Sequence, residues 1–219
     1  MASEARRRFS ESDQEAIRAA VATAETRSGG EVVPWIADAC DDYPESAWIA
    51  AAGGALLGLG LGQLGHWWSQ AWGGMLLWAL VPALLGATAG FLIGRLPAAK
   101  RLLVPDETME RRVETAAEAA FLRAEVFATR DRTGILLFVA LLEHRVVVLA
   151  DSGIHARVPA ERWGAIADEV VAGIRRGGAP SAVVGGVESC GALLAEHCVP
   201  RRPDDRDELP DRPRFGDER

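Results

Sequence analysis

The spacing of apolar residues changes rhythm several times along the chain. Ile17, Val21 and Ala24 recur at helical intervals behind Ser10-Glu11-Ser12-Asp13. That opening predicts a capping box in which Ser10 reaches toward Asp13, and Gly29-Gly30 stop the helix. Residues 31–37, EVVPWIA, read as a short strand whose Pro34 predicts an edge position or a bulge. Periodicity then vanishes. Residues 47–65 (AWIAAAGGALLGLGLGQLG) and 71–94 (AWGGMLLWALVPALLGATAGFLIG) carry no charge and no polar face. The helical rhythm returns after Pro105, with Met109, Val113, Ala117, Phe121 and Ala124 as a stripe. Residues 132–154, RTGILLFVALLEHRVVVLADSGI, join two apolar runs through Glu143-His144, which predicts a hairpin with strands over 134–142 and 145–150. Pro159 starts a helix marked by Trp163, Ile166, Val170 and Ile174, and Pro180 starts a last one with Val183, Val187, Leu194 and Cys198 facing inward. Residues 200–219 are Pro-rich with mixed charge and no apolar period, and read as a disordered tail.

The two uncharged stretches would run roughly 28 and 36 Å as helices, enough to cross a hydrocarbon core of about 30 Å. They predict a transmembrane helical hairpin over 47–96. Gly54, Gly58 and Gly62 recur every four residues in the first span, and Gly86, Gly90 and Gly94 do so in the second. This spacing lines one face of each helix with residues that let backbones approach. The two spans packing on each other is the simpler use, and self-association of whole chains the other. Trp48, Trp67, Trp68 and Trp72 fall where interfacial anchors belong, and Pro82 predicts a kink. Arg95, Lys100 and Arg101 follow the second span, while the connector over 66–70 has no Lys or Arg. The positive-inside rule therefore puts both flanks in the cytoplasm of a cell (inner) membrane.

Neither soluble piece can close a core alone, since residues 1–46 hold one helix and one strand. Joined with 97–199, they predict one discontinuous α/β domain, a three-layer α/β/α sandwich around a small mixed sheet, interrupted by the hairpin. Composition narrows the function. A net charge of −7 disfavours nucleic acid, whose phosphates need a basic face. Cys40, Cys190 and Cys198 have no zinc spacing and read as small buried hydrophobes. No GxSxG, P-loop or paired Cys–His points to nucleophilic chemistry. The spans hold no ionisable residue for transport. One cluster remains. A helical crossover makes the first two strands parallel and the third antiparallel to the second, so Glu31, Asp131 and Asp151 come to the same sheet end. Those carboxylates, with Thr133 and Ser152, could hold Ca2+ or another divalent cation. Alternatively Arg132 pairs with Asp151, and Asp151-Ser152-Gly153 makes an Asx turn.

The succession SGGEVVPWI, RTGILLFVALLEHRVVVLADSGI, a Trp-containing helix and a closing helix resembles the TPM domain family over about 9–37 and 105–198. That family includes chloroplast lumenal proteins linked to photosystem repair and acid phosphatase activity, an animal receptor accessory protein, and bacterial membrane-anchored proteins. The resemblance implies an α/β/α sandwich and, in some members, calcium or a related cation. The chain shows no counterpart of the longer members' N-terminal strand and acidic loop, and carries its hairpin inside the domain rather than after it. The expected function is therefore a membrane accessory or assembly factor docking a partner at the bilayer, with a metal-dependent phosphatase as the alternative. Its expected partners are lipid, a membrane protein or a second copy, and not nucleic acid.

Overall fold

The computed structural model describes residues 4–69, 74–197 and 209–216. In chain order the elements are α1 (Glu4–Arg8), α2 (Glu11–Thr26), β1 (Val32–Ala37), α3 (Pro44–Ser69), α4 (Met75–Gly94) and α5 (Pro97–Leu103). There follow α6 (Asp106–Arg123), a 3-10 turn (Val126–Ala128), β2 (Ile135–Ala140) and β3 (Arg145–Ala150). The described chain closes with α7 (Ser152–His155), α8 (Ala160–Arg175), α9 (Ala179–His197) and β4 (Arg214–Phe215). It forms two compact units, one from residues 1–40 with 110–219 and one from 41–109.

The larger unit is an α/β sandwich. Its sheet runs β3-β2-β1-β4, with β1 parallel to β2 and to β4, and β3 antiparallel to β2. One core collects Ile17, Val21, Val32, Ile36, Leu137, Val139, Val170, Val187 and Leu194, so α2, α8 and α9 cover that face. The other collects Val33, Trp35, Leu136 and Phe138 with Val113, Ala117, Ala120 and Ala124 of α6. Alternate strand residues serve the two cores because side chains point to opposite faces of a strand. β2 is buried throughout, whereas β3, at the sheet edge, is mostly half-buried despite an equally apolar sequence. α2 starts with the expected capping box: Ser10 accepts from the Asp13 amide at 3.2 Å, and Asp13 accepts from the Ser10 amide at 2.9 Å.

Three sequence expectations need correction. The tail read as disordered over 200–219 supplies residues 209–216, which bury Leu209 and Phe215 and add β4. β1 is consequently not an edge strand. β4 pairs only with Trp35 and Ile36, and Pro34, which has no N–H to donate, sits just before that stretch. The first hairpin strand is shorter than read, over Ile135–Ala140, while the second keeps the bounds Arg145–Ala150; between them lies a four-residue turn over 141–144 in which His144 takes φ 50°. Cys198 and Trp72 lie outside the described residues.

The smaller unit contains the two apolar helices, of 26 and 20 residues, each long and apolar enough to cross a membrane. Large side chains such as Leu56, Leu57, Leu84 and Leu85 are exposed, while Gly58, Gly62, Gly90 and Gly94 are buried. A Cβ on Gly54 would strike the Gly86 carbonyl, one on Gly58 the Pro82 carbonyl, and one on Gly90 the Ala50 carbonyl. The glycine faces therefore serve α3 against α4. Pro82 lacks the amide that would bond the Trp78 carbonyl one turn back, and Gly62 packs against that same carbonyl. At the open end of the pair, the Ser46 hydroxyl lies 2.7 Å from the Tyr43 carbonyl and 2.8 Å from that of Gly94.

Candidate functional site

The end of the sheet where β1 and β2 begin and β3 finishes gathers Glu31, Asp131, Arg132 and Asp151. Backbone bonds fix the register: the Ile135 amide donates to the Glu31 carbonyl at 2.8 Å, and the Asp151 amide to the Gly134 carbonyl at 2.9 Å. The Gly153 amide donates to the Arg132 carbonyl at 2.9 Å. A side chain at 153 would strike the carbonyls of Asp131 and Arg132, so glycine lets the two loops meet.

Asp151 is 5% exposed and caps α7. One carboxylate oxygen accepts from the Ser152 amide at 2.6 Å, and the other lies 3.0 Å from Arg132 Nε. Arg132 sits in the left-handed region at φ 57°. Its guanidinium also donates to the Phe127 carbonyl at 3.2 Å and lies 6.0 Å from the Phe127 ring centre. The pair closes the sheet end as an arginine–carboxylate contact with one member buried.

A second carboxyl pair lies beside it. Glu25, in the last turn of α2, accepts from the Val32 amide at 3.2 Å and shares a hydrogen bond with the carboxyl of Glu31, which is 7% exposed. Burial, then the neighbouring Glu31 charge, push the Glu25 carboxyl up to about 9. The site's geometry explains why the contact exists. Val32 points its amide away from β2, on the side where β4 is too short to reach, and Glu25 satisfies that donor.

These side chains are engaged with one another rather than with a common point. Asp131 has an exposed side chain, Asp151 is held by Arg132, and Glu31 faces Glu25. Thr133 Oγ1 donates to the Gly29 carbonyl at 3.0 Å. Among the described residues no three His, Cys, Asp or Glu side chains gather in a metal-binding group. A hard divalent cation takes about six to eight oxygens, and the donors as arranged do not fit one. Sequence reasoning missed Glu25, because only the fold brings a helix end beside β1. It also missed Glu143, 6% exposed, whose carboxylate accepts from the Cys40 amide at 2.8 Å and ties the hairpin turn to the end of β1. His144 and His155 stand in a turn and a short helix, and Cys190 is buried in the core, which raises its thiol to about 12.

Comparison with known proteins agrees with this architecture. Residues 101–193 match the sequence profile of the TPM domain. They span α6 to α9 and leave out α2 and β1, which precede the hairpin. The NMR structure of BA42 protein from the psychrophilic bacterium Bizionia argentinensis superposes over 95% of this chain and 95% of its own, with a TM-score of 0.58 at 17% identity. That likeness concerns the fold. No curated protein matches the chain. Residues 101–193 are thus similar to the TPM domain, and they form the later part of an α/β sandwich whose first and second strands are separated in sequence by an apolar helical hairpin.

Proposed function

We propose that the protein is a non-enzymatic accessory or assembly factor, held in the membrane by its hairpin and docking a membrane-protein partner through its TPM domain. The observation that carries this reading is the state of Asp151. The most buried carboxylate of the sheet end is engaged by Arg132 and by the amide it caps, an arrangement suited to holding loops together. The topology of the sheet supports the anchoring. β1 and β2 flank the hairpin in sequence and pair side by side, which supports a topology with both flanks on one side of a bilayer and an even number of crossings. The Arg95, Lys100 and Arg101 cluster favours the cytoplasm as that side.

The test is calorimetric titration of calcium, magnesium and manganese into the full chain in detergent, alongside Asp151→Asn and a phosphomonoesterase assay. No saturable binding and no turnover are expected. Micromolar binding that the substitution abolishes, with metal-dependent turnover, would replace this reading with a phosphatase. Protease added to inside-out vesicles should cut the C-terminal segment, and full protection would reverse the orientation.

A further inference from the structure

α5 (Pro97–Leu103) belongs to neither core of the sandwich, and none of its residues is buried. It touches α3 and α4, and Ala99, Lys100 and Leu103 are half-buried. Ala98, Arg101 and Leu102, spaced three and four residues apart, form an exposed face. Leu102 is 83% exposed, the highest value among the large apolar side chains of the described residues, and Leu96 at the N-cap is 54% exposed. Pro97 explains why the chain turns here. It has no amide to continue α4, and it holds Leu96 extended at ψ 144°. α4 closes with short-range bonds, from the Arg95 amide to the Leu92 carbonyl at 3.3 Å and from the Leu96 amide to the Ile93 carbonyl at 2.9 Å.

The same end of the helix pair carries the residues of a membrane–water boundary. Trp48 of α3, itself exposed, meets Phe91 of α4 edge-to-face with ring centres 5.3 Å apart. The Arg95 guanidinium lies 5.8 Å from the centre of the Phe91 ring. An exposed indole and a cation stacked on an aromatic ring suit the headgroup level, where one side is apolar and the other wet. α5 starts two residues after Arg95, so it begins at that level. A helix of seven residues is marginal on its own, and this one has no side-chain cap at its N-terminus. α3 and α4 support one side of it, and the leucine face is left for something else.

We infer that α5 is an interfacial helix whose face of Leu96, Ala98 and Leu102 lies in the boundary between phospholipid headgroups and acyl chains. Lipid is the occupant because the face follows directly on α4, whose own leucines are exposed along its length, and because the turn at Leu96 keeps it at the boundary. Arg101 shares the face, and a long basic side chain is tolerated there, since its stem is apolar and its head stays on the water side. This contact rests on the membrane anchoring proposed above: the hairpin supplies the attachment that so short a helix cannot supply itself.

The experiment is spin-label accessibility in the full chain, reconstituted in phosphatidylcholine nanodiscs with Cys40→Ser and Cys198→Ser and the buried Cys190 retained. Nitroxides are attached at Leu102→Cys, at Leu84→Cys in the middle of α4, and at Glu161→Cys, an exposed position on α8. Oxygen partitions into lipid, whereas a nickel chelate stays in water. The ratio of oxygen to nickel collisions should be highest at Leu84 and lowest at Glu161, with Leu102 about twofold or more above Glu161. Leu96→Cys should give the same reading as Leu102→Cys. A water-like ratio at either position, with Leu84 in lipid, overturns the interfacial helix and leaves the hairpin standing. Low collision with both probes at Leu102 means that a protein surface covers it, and overturns the inference too. A water-like ratio at Leu84 removes the membrane anchoring and the interfacial helix together.

Discussion

Glu25 does two things at once: it satisfies the Val32 amide and it faces the buried carboxyl of Glu31. Both are compatible only if the pair holds a proton. The folded Glu25 carboxyl is raised to about 9 from an ordinary 4.5, so folding takes up a proton between those values. Its stabilising contribution is fully present below the unfolded pKa and is lost as pH rises through the folded one. Thermal unfolding followed from pH 5 to 10 should show the melting temperature falling toward the alkaline end. Glu25→Gln keeps the acceptor for Val32 and offers Glu31 a permanent donor, so it should flatten that fall and melt higher than the unmodified chain at pH 9. An unchanged slope would remove the pair from the account. Asp151 and Arg132 were legible as partners because both flank strand ends in sequence. Glu25 was not, since its role arises from a gap left by a strand some 180 residues away that has almost no sequence signature.

The hairpin is where sequence spoke most plainly at the level of elements, because a run of uncharged residues and a four-residue glycine repeat each have few physical solutions. The fold chooses between them by placing the repeat at the α3–α4 contact. That choice has a position-specific consequence. Gly58 faces the Pro82 backbone, whereas a Cβ on Gly60, two residues on, meets nothing. Gly58→Ala should cost about 1–3 kcal/mol through the displaced helix, and Gly60→Ala should be neutral. Melting of the solubilised protein distinguishes them; equal losses would mean that the helices pack by other faces. The shorter elements were harder to read. β3 looks in sequence like a central strand, yet it lies at the edge, because apolar content reports burial of faces and says nothing about neighbours in the sheet. β4 has two residues and no period at all, so only its partners reveal it.

Across the whole molecule, residues from both ends of the described chain share one core. Phe9, after α1, and Phe215 of β4 meet edge-to-face with ring centres 6.2 Å apart, and each is 1% exposed. Phe215→Ala should cost about 3–5 kcal/mol, read as a lowered melting temperature. A loss near zero would show that the segment detaches without consequence for the sandwich. The order in which these parts become available matters as much as their contacts. β1 is synthesised early, but its partner on one side begins at Ile135 and its partner on the other at Arg214. Between them the ribosome makes two helices long and apolar enough to cross a membrane. The first strand therefore waits unpaired on one edge until β2 emerges and on the other until β4 does. A chain stalled before the final segment presents an open strand edge to chaperones and proteases. Closing both edges of that strand therefore falls to segments made long after it, and its edges are covered only once β2 and β4 have both left the ribosome.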